Sequence, residues 1–274
     1  MSPRRTVGSL SMTLDADLLR TRLAGTRWDR IEVVESTGST NADLVSRAAT
    51  ESIGGTVRIT TDQTAGRGRH ARTWTAPAGT QLAMSAAIDV ADHTEDLGWL
   101  SLLAGLAAVQ GVDEAVGVRP TLKWPNDVLI DGKKVAGILS EYTRSEHAPS
   151  GPGGVAVIGT GLNTTMAADQ LPVPTATSLR LATGREVPLT ELAASYLRAL
   201  SDLLDLWPHD LDGLAARYRD SSDTIGRSVR LVLPGDREVI GTATGVDHSG
   251  RIIVDADGQQ VVAAAGDVTH LRPE

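Results

Sequence analysis

The stretch Asp62-Gln63-Thr64-Ala65-Gly66-Arg67-Gly68-Arg69-His70-Ala71-Arg72-Thr73-Trp74 gathers three arginines around two glycines. Planar guanidinium forks can surround an anion with several directed hydrogen bonds. Glycine lets the backbone take unusual angles and come close to a ligand. Trp74 adds a flat apolar face. Anion binding is one reading of this segment. A solvated basic loop or an arginine–glycine nucleic-acid segment is another. No GxxxxGK motif followed by Ser or Thr occurs, so this is not a P-loop.

A second constellation is Lys123-Trp124-Pro125-Asn126-Asp127, followed by Gly132-Lys133-Lys134-Val135-Ala136-Gly137. Asp131-Gly132 between two β-rich runs is a strong hairpin signal. A two-residue turn there pairs 130 with 133, 129 with 134 and 127 with 136. Asp127, Leu129, Lys134 and Ala136 then share a face, with a carboxylate and an ammonium diagonally opposed. Lys133 points the other way. A plain surface ion pair gives the same spacing. Two shorter motifs are Gly159-Thr160-Gly161-Leu162-Asn163, at the end of a buried strand, and Ser39-Thr40-Asn41, at a helix start. Each is also ordinary as a turn or a cap.

Other chemistries are excluded by composition. The chain has no cysteine, which removes disulfides, thiolate nucleophiles and Cys-ligated zinc. Six histidines are scattered, His93 and His270 among them, with no HExxH spacing, so no metal site is expected. The net charge of −8 argues against a general nucleic-acid binder. No apolar run approaches the ~20 residues of a membrane span, so no transmembrane helix is expected. Met1 to Arg5 is basic but precedes no signal-peptide core, so a cytoplasmic protein is expected.

The elements that must carry these motifs alternate along 274 residues. Helices are expected at 14–24, from Asn41 onward, at 97–116 as a long buried helix, at 189–207 and at 211–220. Strands are expected at 30–35, 56–61, 80–90, 122–124, 128–130, 133–142 and 155–160, with a surface connection at 145–154. Hairpins rather than regular βαβ units favour an α+β domain with a mixed or antiparallel sheet flanked by helices. After about residue 224 five short β-runs separated by Pro/Gly/Asp turns suggest a small barrel. About 50 residues form a marginal core, so this second domain, 224–274, should dock on the first, 1–223.

Taken in order, STN, DQTAGRGRHART-W, KWPND, DGKKVAGIL, GTGLN and TSL at 177–179, followed by the small β-domain, resemble the biotin–protein ligases. The resemblance spans roughly residues 30–270 and implies a class II synthetase-like catalytic domain with an SH3-like C-terminal barrel. It implies ATP and biotin as substrates, Mg²⁺, a biotinyl-5′-AMP intermediate and transfer to a lysine of a biotin carboxyl carrier protein. By resemblance Ser39, Thr40, Asn41, Gln63, Gly66, Arg67, Gly68, Arg69, Trp74 and Lys134 face biotin. Arg69, Arg72, Lys123, Asn126 and Asn163 face the nucleotide. Lys134, Arg67 and Arg69 serve the chemistry, with Asp127 orienting Lys134 or the incoming lysine. About 25–30 residues precede the first expected strand, too few for the winged helix–turn–helix of ligases that double as repressors. No operator DNA and no membrane partner is expected, and the chain should be a monomer or weak dimer. A lipoate–protein ligase of the same superfamily and a nucleic-acid-binding module are the alternatives.

Overall fold

The computed structural model describes residues 14–90, 94–147, 153–235 and 237–271. The basic N-terminus, His93 and residues 148–152 of the expected 145–154 connection lie outside them.

The larger part begins with α1 (Ala16–Arg22), β1 (Arg30–Val33), α2 (Thr40–Arg47) and β2 (Thr56–Thr60). Asp15 caps α1 and Ser39 caps α2, each side chain accepting from a backbone N–H of the first turn. Two short strands follow, β3 (Gly66–Arg67) and β4 (Thr73–Trp74), with a 3-10 turn at Arg69–Ala71 between them. Then come β5 (Gln81–Asp89), α3 (Gly98–Val116), β6 (Thr121–Lys123), β7 (Asp127–Ile130), β8 (Lys133–Ser145) and β9 (Gly153–Asn163). Three helices complete it: α4 (Leu179–Thr183), α5 (Leu189–Leu206) and α6 (Leu211–Ser221).

Seven strands form one mixed sheet in the order β1-β2-β5-β9-β8-β7-β6, with β1 and β2 parallel and the other neighbours antiparallel. Helix α3 has the length and composition of a membrane span, against the expectation that no segment would. Most of it is buried, and it serves as the central core helix against α5. Gly111 makes that packing possible, because a Cβ there would lie 2.8 Å from the Tyr196 backbone. Gly117, at φ 70°, ends the helix in the left-handed conformation that glycine tolerates.

Strands β10 (Ser228–Leu233), β11 (Arg237–Val246), β12 (Ile252–Ala256), β13 (Gln259–Ala263) and β14 (Asp267–His270) make a separate antiparallel, SH3-like sheet in the order β13-β12-β11-β10-β14. Its apolar face does not stand alone. Val229, Leu231, Ile252 and Val254 join the same buried cluster as Trp99, Leu103 and Trp124. Two tryptophans tie the sheets together, Trp99 donating to His248 O at 2.7 Å and Trp124 to Gly250 O at 3.3 Å. A small core completes itself on a larger one in this way.

Two expectations are corrected. Strands β8 and β9 run past the expected limits, to Ser145 and from Gly153, so the ends of the 145–154 segment are paired strand. The expected strand 155–160 also runs on: Gly159 to Leu162 are paired on both sides and Asn163 with Gln81, so the alternative of a turn there is ruled out. Its glycines are there for close approach. A Cβ on Gly161 would lie 2.7 Å from the Trp74 ring, and one on Gly159 would collide with the Asn41 amide.

Candidate active site

A cavity of about 360 Å³ opens on the face of β5, β8 and β9 that the glycines keep low. Four separate pieces of chain surround it: the start of α2, the β3–β4 loop, the β6–β7–β8 hairpins and the first residues of β14.

The β7–β8 hairpin turns on Asp131 and Gly132, both at positive φ (50° and 72°), as a type I′ turn requires. Ile130 pairs with Lys133 and Leu129 with Lys134, as the two-residue turn demands. The next pairing departs from the expectation. A bulge at Val135 sets Val128 against Ala136 and Asp127 against Gly137, not against Ala136. The bulge re-aims the strand, and the Lys134 ammonium comes to lie over Gly137, where a Cβ would stand 3.2 Å from Nζ. Lys134 Nζ meets Asp127 Oδ1 at 2.5 Å and sits 5.9 Å from the Trp74 ring centre. Lys134 N donates to Thr175 O and Thr177 N donates to Lys134 O, each at 2.8 Å, so the backbone under this lysine is fixed from both sides. Lys133 is exposed, on the other face.

The arginine loop is built differently. Gly66 pairs with Trp74 and Arg67 with Thr73, and within the loop His70 and Ala71 take positive φ. Trp74 donates from Nε1 to Gln81 Oε1 at 2.9 Å, which lays its ring over Gly161 and Gly137. The arginines diverge. Arg67 pairs with Glu141 at 2.7 Å. Arg72 pairs with Asp267 of β14 at 2.5 Å. Arg69 lies between, with long contacts to Asn126 Oδ1 at 3.4 Å and Gly266 O at 3.5 Å. Burial lowers the Arg69 guanidinium from its ordinary value, and Asp267 and Asp127 oppose that shift. It stays charged, as arginine does in proteins. Burial alone would raise the Asp267 carboxyl. The Arg72 hydrogen bond and charge, with Arg69 and His70, bring it below the usual carboxylate value.

At the opposite end, Thr40 N and Oγ1 both donate to Gln63 Oε1 at 2.9 and 3.1 Å. Bonds from Thr64 N to Thr37 O and from Ala65 N to Gly38 O zip this segment to the loop before α2. Ser85 lies 2.7 Å from Thr40 Oγ1 and 2.6 Å from Asn41 Oδ1. The result is a buried cluster of neutral donors and acceptors at one end, with cations at the other.

Of the residues singled out from the sequence, Ser39, Thr40, Asn41, Gln63, Arg67, Gly68, Arg69, Arg72, Trp74, Lys123, Asn126, Asp127 and Lys134 line this one cavity. Two do not. Asn163 is buried behind it, with Nδ2 donating to Thr177 O at 3.0 Å. Gly66 lies under the loop, where a Cβ would meet Trp74 O at 2.5 Å. Gln81, Ser85, Glu141 and Asp267 were not foreseen. Ser85 and Gln81 stand in a run that reads only as a strand, and Asp267 arrives from far along the chain.

A model of the biotin/lipoate A/B protein ligase family matches residues 31–163, and one of the biotin protein ligase C-terminal domain matches residues 224–271. The biotin–(acetyl-CoA-carboxylase) ligase of Mycobacterium tuberculosis is 45% identical over 267 residues, covering 94% of this chain and 96% of the relative. The chain belongs to the biotin protein ligase family. The bifunctional ligase/repressor BirA of Escherichia coli is 31% identical over 232 residues, 83% of this chain and 70% of that protein. The fold agrees with this membership. The Aquifex aeolicus biotin protein ligase, solved in complex with biotin and ATP, superposes with a TM-score of 0.74 at 23% identity, covering 89% of this chain and all of that one. Within the biotin protein ligase family frame, the cavity is the candidate active site.

Proposed function

We infer that the chain is a biotin–protein ligase, which activates biotin with ATP and transfers it to a lysine of a biotin carboxyl carrier protein. The observation that carries this reading is the polarity of the cavity. Neutral hydrogen-bonding groups from α2, Gln63 and Ser85 stand at one end, Arg69, Arg72 and Lys123 at the other, and Lys134 between them. Biotin offers an uncharged ureido ring, an aliphatic chain and a carboxylate, and ATP offers phosphates. The two ligands meet where the carboxylate and the α-phosphate come together.

In the first step a biotin carboxylate oxygen attacks the α-phosphorus, the bond to the bridging oxygen breaks, and pyrophosphate leaves. Two anions must approach, so fixed cations and positioning supply most of the catalysis. Lys134, on a braced backbone, stabilises the negative charge that grows on the α-phosphoryl oxygens. Asp127 holds that ammonium in place. Arg69 and Arg72 cover the phosphates, and Lys123 and Asn126 line the nucleotide side. In the second step the acceptor lysine amine attacks the acyl carbon, AMP departs with the electron pair of the C–O bond, and the new amide nitrogen sheds a proton. The intermediate is a mixed anhydride, and a loop closed over it keeps water away.

Mg²⁺ accompanies ATP. Among the described residues no group of three or more His, Asp or Glu is placed to hold a metal ion. The ion would be held mainly by phosphate oxygens and water, with Asp127 and Asn126 the residues able to offer it an oxygen, and it would neutralise polyphosphate charge. A cytoplasmic, monomeric or weakly dimeric enzyme that binds no operator DNA completes the reading, and net charge −8 favours the last point.

The test is biotin-dependent exchange of pyrophosphate into ATP by the purified chain. Exchange is expected with biotin and not with lipoate. Equal exchange with lipoate would move the assignment to the lipoate ligases.

A further inference from the structure

Glu141 is absent from the sequence motifs and does not line the cavity, yet it joins two elements that do. It stands on β8 with its side chain 26% exposed. One oxygen, Oε2, accepts from Arg67 Nη2 at 2.7 Å and from Asn41 Nδ2 at 2.9 Å. The Asn41 amide is fully committed. Its Nδ2 also donates to Leu139 O at 3.0 Å, so its Oδ1 must face Ser85 Oγ, 2.6 Å away. The plane of that amide lies on the bare backbone of Gly159. The orientation of the amide is thus set by three partners, and Glu141 is the charged one.

The consequence falls on the arginine loop. Arg67 and Arg69 are separated by a single glycine but reach opposite ends of the cavity. Arg69 turns to Asn126 and Gly266, and Arg67 is drawn to Glu141 beside the α2 N-terminus. Among the described residues, Glu141 is the ion-pair partner of Arg67. We propose that Glu141 is a positioning residue that holds Arg67 at the biotin end and locks the Asn41 amide to it, so that the loop arginines are divided between biotin and phosphate. The inference rests on the ligase reading. Glu141 touches no reacting atom and acts through Arg67 and Asn41.

The experiment measures pyrophosphate exchange against biotin and ATP separately, using the full chain and its Glu141→Ala and Glu141→Gln variants. A charge-assisted hydrogen bond of this kind corresponds to about a 10–100-fold effect. Glu141→Ala should raise the KM for biotin by about that factor and leave the KM for ATP unchanged. Glu141→Gln, whose amide oxygen can still accept from Asn41, should recover part of the loss. Adding Glu141→Ala to Arg67→Ala should cost less than it does in the wild-type background, because part of its effect runs through Arg67. Thermal melting of each variant identifies a general folding defect, and Glu141→Gln keeps the test decisive if Glu141→Ala unfolds. A wild-type KM for biotin in both variants, or a parallel rise for biotin and ATP, would overturn the proposal and leave the ligase reading intact. Absence of biotin-dependent exchange in the wild-type chain would overturn both.

Discussion

The cavity brings its cations in by two opposite constructions. Lys134 rides on a sheet strand whose backbone is hydrogen-bonded to Thr175 and Thr177, on a hairpin closed by a tight turn. The loop arginines hang from two-residue strands, and their placement depends on carboxylates borrowed from β8 and β14. A cation on a braced strand is preorganised and costs nothing to place when charge develops. A cation held by an exposed ion pair, as Arg72 is by Asp267, is gained cheaply and released cheaply. The contrast suits a reaction that needs one fixed charge for chemistry and a movable cover for retention.

The contrast breaks most visibly at Lys134. Lys134→Ala should lose adenylation by about 10²–10³, the usual cost of one preorganised donor, with little change in melting temperature. Lys133→Ala, exposed on the opposite face, should keep most activity. Loss of activity in the Lys133 variant instead would mean that the fixed cation has been assigned to the wrong side of the hairpin.

Arg69→Ala tests the other construction. If the loop retains the adenylate rather than makes it, the variant should still form biotinyl-5′-AMP and should leak it, labelling unrelated proteins. Wild-type synthesis together with wild-type release would remove Arg69 from that role. A gentler probe compares the two regions directly. Amide exchange across residues 66–73 should slow on adding biotinyl-5′-AMP, while exchange across the β7–β8 hairpin should stay as it was. Equal change in both would erase the distinction.

The smallest expected effect lies at the junction of the two sheets. The Thr224 hydroxyl accepts from Trp124 N at 3.1 Å and meets His270 Nε2 at 3.0 Å. Which of the two donates in the His270 contact follows the imidazole tautomer. Burial, with Lys123 nearby, holds His270 below its ordinary value of 6.5, against the pull of Asp223. The unfolded chain therefore takes up a proton before the folded one does. The stabilisation is complete above pH 6.5 and declines as pH falls below it through the lower folded value. Melting temperature should drop more steeply over that range in the wild type than in His270→Gln, and parallel slopes would count against the assignment.

How legible each region was follows the same division. The Asp131-Gly132 turn and its first two pairs can be read from local residues, because a type I′ turn has its own chemistry. The bulge at Val135 cannot, since it answers to Gly137 and the tryptophan above it. Gly159 and Gly161 looked like turn residues because the sequence does not display Asn41 and Trp74 pressing on them. Asn163 fits the ligase pattern, and its amide donates to Thr177 O from behind the cavity. Asp267 was hidden by distance along the chain, 195 residues from its partner Arg72. The residues that could be named in advance are those whose motif is contiguous. Those brought in by folding, Glu141 and Asp267 above all, share no segment with what they hold.

Trp74 closes the cavity with its ring against Gly161, and this position gives the protein an optical handle. The chain has five tryptophans, and Trp28, Trp99, Trp124 and Trp207 are all buried in the core. Trp74 alone is partly open, at the ligand cavity and beside the Lys134 ammonium. Trp28, Trp99 and Trp207 lie away from the cavity and supply a constant background emission, Trp124 borders it from within the core, and Trp74 senses solvent, charge and contact at the site. A fluorescence titration with biotin reads the occupancy of that cavity from native side chains, Trp74 foremost, with no dye attached.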